Sequence, residues 1–322
     1  MKYNYKINEI SKSISKATIS LLIIFATFST QAQNNDEDEW PEVNFNAAAK
    51  IGLFDDSNVA IDAIDRQSAE GDSGTAWNFK LGTKFQINEK VGLRASASLS
   101  DKSYSDFDEF DIQTSLLSLQ SSYKLSETNI GIGTRLIFTD LGSQKFLSNQ
   151  HLYLFASKSV SKKWFLRGEL NFSEKEFEIQ TERDTDRTKL GLAAYHFIDG
   201  TRKSISFGVD LANEDSVRNR NEFSRDIFEI KMKYKQVVQF LKKDTKLAAK
   251  FSFRSRDYDG IDPRIGQVRE DERFRIELSA EYPLTDNLFL LGEYEYSDNQ
   301  SNLPTSDYSQ NLFLIQLGWE LH

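Results

Sequence analysis

The sequence predicts an all-β fold: a closed antiparallel barrel of about fourteen strands that crosses a membrane with its strands. Three observations carry this. In the last stretch, 311–322 (NLFLIQLGWELH), Phe313, Ile315, Leu317, Trp319 and Leu321 fall on one face of an extended chain, and Leu312, Leu314, Gln316, Gly318 and Glu320 on the other. The same alternation recurs along the chain at a pitch of roughly twenty residues. Short and long connections take turns between the repeats, which a water-soluble sandwich does not require.

Residues 1–32 stand apart from the fold. Lys2, Lys6, Lys12 and Lys16 form a basic start, 17–29 (ATISLLIIFATFS) an apolar core, and Thr30-Gln31-Ala32 a small-x-small cleavage site, the pattern of a secretory signal peptide. The apolar core falls short of the ~20 residues a spanning helix needs. A short acidic periplasmic leader follows at 33–42 (QNNDEDEWPE), and the barrel is expected over 43–322.

The first strand places Val43, Phe45, Ala47, Ala49, Ile51 and Leu53 on one face, and a long polar loop, 55–75, follows. Strand two turns Trp77, Phe79, Leu81, Phe85 and Ile87 outward. A tight turn at 88–90 leads to strand three, with Val91, Leu93, Ala95, Ala97 and Leu99 outward. Strand four spans about 110–125, and its alternation slips at Leu116-Leu117, which suggests a bulge. Strand five (130–138), strand six (151–160, apolar on both faces) and strand seven (164–172) follow, then eight (190–197) and nine (205–211) around Asp199-Gly200-Thr201. Strands ten (228–234) and eleven (247–253) are joined by 236–245, longer than a short connection should be. Long loops at 255–272 and 298–308 flank strands twelve (274–282) and thirteen (288–296) before the closing strand. An even strand count puts both termini on one side, with the long loops facing outward.

Composition excludes several functions. There is no cysteine, so disulfides, thiol chemistry and lipidation of a cysteine are ruled out, and no motif calls for a cofactor. Removing the signal segment takes away four lysines and one glutamate, which moves the net charge from −9 to −12. So acidic a chain repels a nucleic-acid backbone. Mean hydropathy is −0.52, which agrees with a barrel whose strands show only every second residue to lipid.

On these features the chain resembles outer-membrane β-barrel proteins of the porin-like kind, most closely the small monomeric fourteen-stranded porins. The resemblance covers the mature chain but rests on pattern, without a specific motif. It implies contact with outer-membrane lipid and lipopolysaccharide, and insertion by the barrel-assembly machinery. Phe313, Ile315, Leu317, Trp319 and Leu321 resemble the C-terminal signal that machinery reads, although the chain ends Leu321-His322 instead of in an aromatic residue.

The inward face should carry function. Its expected phase presents Lys50, Lys80, Lys84, Arg94, Arg135 and Arg167 on the first seven strands. Glu277, Glu281, Glu293, Glu295 and Glu320, with Arg275, line strands twelve to fourteen. Opposed basic and acidic walls would set a transverse field across a wet lumen, suited to passive diffusion of small polar solutes. Alternatively the charges pair and fill the interior, since fourteen strands lie between filled small barrels and open large ones. Long loops such as 55–75 or 255–272 could fold in and constrict the pore.

The acidic loops (Asp55-Asp56, Asp106 to Glu109, Asp184 to Asp186) match no complete calcium loop and read as solvated, or as bridging divalent ions to lipopolysaccharide. A barrel hydrolase would need a His beside a Ser at the outer rim. Of His151, His196 and His322, only His151 is placed there, and HLYLF is not the His-x-Ser-Asn setting of outer-membrane phospholipases. A non-conducting accessory barrel, binding a protein partner through its loops or the leader at Asp36 to Pro41, is the alternative expectation.

Overall fold

A computed structural model describes residues 41–321. The signal peptide, the leader up to Trp40 and His322 lie outside the described residues. Fourteen long strands close on themselves: β1 Glu42–Asp56, β2 Asp72–Gln86, β3 Val91–Tyr104, β4 Ile112–Leu125, β5 Thr128–Leu141, β6 Gln144–Ser159, β7 Trp164–Phe177, β8 Thr185–Asp199, β9 Lys203–Ser216, β10 Arg225–Phe240, β11 Lys243–Asp262, β12 Gln267–Pro283, β13 Leu288–Ser301 and β14 Tyr308–Leu321. Each pairs antiparallel with its sequence neighbours, and β1 pairs with β14, from Ala47 opposite Leu321 to Asp56 opposite Leu312. Closure leaves no open edge along the lipid-facing band, where an unpaired amide has no water to bond.

Outward side chains form an apolar band. Ile51, Leu53, Leu192 and Ile315 are each at least 60% exposed, a surface that needs hydrocarbon around it. Among the described residues no helix is long and apolar enough to cross a membrane. The chain crosses with its strands.

The inward face is packed by aromatic rings lying across glycines. Phe155 and Tyr153 of β6 stand opposite Gly131 and Gly133 of β5, and a Cβ on either glycine would come within 2.5 Å of the ring. Tyr153 and Phe155 therefore point inward and Leu152 and Leu154 outward, which settles the phase of strand six. Phe289 covers Gly318 in the same way.

Several sequence expectations need correction. No bulge occurs at Leu116-Leu117, because β4 pairs with both neighbours in unbroken register; Leu116 faces the lumen and Leu117 lipid. The long link 236–245 is mostly strand: Phe240 pairs with Lys243, and only Leu241 and Lys242 turn, both at positive φ. Several outer loops are likewise strand. The stretch 255–272 stands up as the continuation of β11 and β12 around a turn at 263–266, and 140–149 turns at Gly142-Ser143 alone. Strands continue past the membrane, where an outward apolar face is no longer required, so alternation stops marking them.

Candidate functional site

Loop 1, residues 57–71 between β1 and β2, is the longest connection. It carries a two-residue hairpin (Ala60–Ile61 with Arg66–Gln67) around a short 3-10 turn, Asp62–Ile64. Its root is fixed by two carboxylates. Asp56, 1% exposed, accepts hydrogen bonds from Lys102 Nζ (2.8 Å), Tyr104 Oη (2.8 Å) and Gln310 Nε2 (2.8 Å). Asp72 accepts from the amides of Asp106 and Phe107 in the next outer loop. Asp56 and Asp72 therefore serve as structural acceptors; for Asp56 the sequence suggested a solvated acid.

From that root the loop crosses the barrel mouth. Asp62 binds Arg256 of β11 through both oxygens, at 3.0 and 2.6 Å, and Arg273 of β12 at 3.2 Å. Asp65, at a left-handed φ that Asp tolerates, takes Arg183 (2.8 Å), Arg264 (3.0 Å) and Arg269 (2.8 Å) together with the Ser306 hydroxyl. Arg183 sits in the β7–β8 loop and also donates to Ala63 O. In a ring of fourteen strands that loop lies diametrically opposite β1. Val59, within the loop, is fully buried. Arg66 meets Glu109 of the β3–β4 loop, and Gln67 donates to the carbonyls of Pro304 and Asp307 between β13 and β14.

Burial opposes ionisation of both lid carboxylates, but neighbouring guanidiniums outweigh it. Charge and hydrogen bonds from Arg256, with Arg273 and Arg225, hold Asp62 well below the ordinary carboxylate range, and Arg269 and Arg183 do the same for Asp65. The wall behind them is equally dense. Arg269 is 2% exposed and grips Asp271 with Nε and Nη2, while Tyr258 accepts from Arg225 at 2.6 Å and donates to Asp271. Glu214 is shared by Lys175, Arg225 and the Thr185 hydroxyl.

Lower in the lumen the arrangement loosens. By strand phase Lys50, Lys80, Lys84 and Arg94 point inward; the last three are exposed, and none forms an ion pair among the described residues. Arg135 and Arg167 lie inward over the rings of Tyr153 (4.6 Å) and Phe155 (4.2 Å), and Arg167 also meets Glu169. Glu277, Glu281, Glu293, Glu295 and Glu320 project inward from β12–β14, all but Glu293 beside cations. Glu277 pairs with Lys250, Glu281 with Lys246 (2.6 Å) and Glu295 with Arg275 (3.1 Å), while Lys246 lies 3.8 Å from Glu320. Between β8 and β12 a cavity of ≈ 400 Å³ is lined by Lys231, Lys233, Lys250, Arg254 and Glu229. His151 faces inward and bonds the Asn171 side chain at 3.2 Å. Among the described residues no group of His, Asp and Glu is arranged to hold a metal ion.

Residues 40–321 match the family described as surface lipoprotein assembly modifier. The chain belongs to this family. Solved structures share its fold: OmpT, an outer membrane protein of Vibrio cholerae, at TM-score 0.54 and 11% identity, and an anion-selective porin from Comamonas acidovorans at 0.50 and 9%. Each alignment covers 88% of this chain and 100% of the other. A search of curated proteins returned no match. The protein is thus an outer-membrane barrel of porin-like architecture, and this family member carries its densest charge cluster at the outer mouth.

That cluster went unread in the sequence. Arg254 and Arg256, then Arg269, Asp271 and Arg273, alternate at the two-residue spacing of a strand face, which is a usable signal. It was hidden because their outward neighbours are polar, so the segment passed for loop.

Proposed function

We propose that the protein is a non-enzymatic outer-membrane barrel, closed at rest, that acts in the assembly of surface lipoproteins and engages a protein client at its outer mouth when loop 1 lifts. The observation that carries this reading is the loop-1 crossing, in which Asp65 reaches Arg183 in the loop opposite β1 as well as Arg269 of β12, and Asp62 reaches Arg256 of β11. A freely conducting pore has no use for a tether across its mouth. A loop released by breaking a few ion pairs suits a barrel that opens to order. The family description supports a lipoprotein client, and a pattern-level barrel with no cofactor motif supports a binding function.

Two measurements test it. In planar bilayers the purified protein should pass little steady current. In cells lacking it, surface lipoproteins should lose protease accessibility from outside, and the intact chain should restore this while a chain with loop 1 shortened does not. Restoration by both would sink the reading.

One observation favours a second reading, a narrow passive pore for small polar solutes: Lys50, Lys80, Lys84 and Arg94 line the lower lumen without ion-pair partners among the described residues, as a wet channel wall would. Steady current from the resting protein, with ion selectivity that follows these residues, would favour it over the closed barrel.

A further inference from the structure

We propose that Arg254 and Arg273 form a binding site for a phosphate-class oxyanion that competes with Asp62 and so unlocks loop 1. Arg254 of β11 and Arg273 of β12 are direct cross-strand partners and share the lumen face. Like charges in that position repel unless an anion bridges them. Among the described residues no carboxylate forms an ion pair with both. Arg254 gives Nη2 to Glu229 at 2.9 Å, and Arg273 gives Nη1 to Asp62 at 3.2 Å, with longer contacts to Ser297 and Tyr308.

The Nε donors of Arg254 and Arg273 are both buried without an acceptor among the described residues. A buried charged donor left unsatisfied keeps its full desolvation penalty. Two such donors on directly cross-strand arginines call for an acceptor with several oxygens. Both oxygens of Asp62 are already taken by Arg256, so a second oxyanion is the complement, and the guanidinium fork suits phosphate. Space lies on the Arg254 side of the pair, where a cavity of ≈ 400 Å³ reaches Arg254 and continues to Lys231, Lys233 and Lys250. Lys233 forms no ion pair among the described residues.

Such an anion would take Arg273 from Asp62 and repel the Asp62 carboxylate. By linkage, whatever factor the anion takes from loop docking, Asp62 takes from anion affinity. This inference builds on the closed-mouth reading but is read out separately, because resting current tests the mouth and phosphate binding tests the site.

The experiment uses the full barrel in neutral phosphatidylcholine bilayers with inorganic phosphate as probe. The chain has no cysteine, so Val59→Cys gives a single thiol buried within the closed loop. Phosphate should speed its maleimide labelling, and chloride at equal ionic strength should not. Calorimetry should show Asp62→Asn binding phosphate about fivefold or more tighter than the parent. Arg254→Gln and Arg273→Gln should abolish binding while retaining heat-modifiable mobility. If labelling instead quickens without added phosphate in bilayers containing phosphatidate, the phosphate comes from a lipid headgroup; response to the dissolved ion alone assigns it to a solute. Unchanged affinity in Asp62→Asn, or full binding by the folded Arg254→Gln/Arg273→Gln double variant, would overturn the proposal. Should the arginine variants not fold, the Asp62→Asn comparison still decides.

Discussion

In the lower lumen Lys80, Lys84 and Arg94 stand exposed with no ion pair among the described residues, whereas at the upper end Arg256, Arg269 and Asp65 are nearly inaccessible and hold several partners each. The two regions share one sheet and the same alternation of residues. They differ in what lies over them. The lower cations face an open interior, where water solvates charge at little cost. The upper arginines are covered by loop 1, so each must find an anion or bear the desolvation penalty. A covered charge lattice adds little net stability compared with apolar packing, but breaking it by removing one partner is expensive. On the proposed closed-mouth reading such a lattice would serve as a latch: firm while complete, and weakened when one partner is lost.

The largest expected effect comes from removing the loop's charges. Asp62→Asn with Asp65→Asn leaves Arg256, Arg269 and Arg183 without the lid carboxylates. Single-channel recording should show steady current at least tenfold above the parent, since losing one partner of a buried pair costs about 3–5 kcal/mol. If the current does not rise, something other than these ion pairs holds the mouth shut, and the contrast between the two ends loses its functional meaning.

Acid should act on the same latch more gently. Both lid carboxylates have pKa values depressed in the docked state, so the stabilisation is complete above the ordinary carboxylate pKa near 4 and fades only as pH falls below it. Conductance of the parent should stay flat from pH 7 to 5 and increase in stronger acid. A rise centred near pH 6 would place the switch on a different group.

Smaller again is the effect of the lower cations. Lys80→Gln, Lys84→Gln and Arg94→Gln together should leave the resting protein closed. In the Asp62→Asn/Asp65→Asn background they should shift reversal potentials toward cation preference by a few-fold in permeability ratio, a modest change because exposed charges are screened within about 8–10 Å. Reopening of the mouth by these lower substitutions alone would show the two ends to be coupled.

The contrast also explains what could be read without a structure. Where strands touch lipid, one face must be apolar, so Ile51, Leu53, Phe313 and Ile315 announce the barrel and its phase. Above the membrane that demand lapses, and β11 and β12 run through Arg254-Ser255-Arg256 and Arg269 to Arg273 looking like loop. Whether a long loop folds inward depends on partners far away in sequence: Asp62 and Arg256 are separated by 194 positions, and no local pattern couples them. The cations opposite the predicted acidic wall were missed for a related reason. Lys246 and Lys250 sit on strand eleven, whose inward face was not read, although its alternation displays them.

The smallest effect lies at the lower rim, far from the latch. There Phe240 and Lys243 close a two-residue turn in which Leu241 (φ 47°) and Lys242 (φ 66°) both adopt left-handed backbone. Two successive positive φ values match the right-handed twist of the hairpin, which is why the turn is so tight and why the apparent long link disappears. Leucine and lysine are poor occupants, because a side chain in this region costs about 1–2 kcal/mol that Asn and Gly largely avoid. Replacing Leu241-Lys242 by Asn-Gly should therefore raise stability by about 1 kcal/mol, read as a higher urea midpoint for the barrel in lipid vesicles. It should leave both the resting current and the current of the Asp62→Asn/Asp65→Asn protein unchanged. Higher stability with altered current would mean that the lower rim takes part in opening, and the latch would no longer be confined to the mouth.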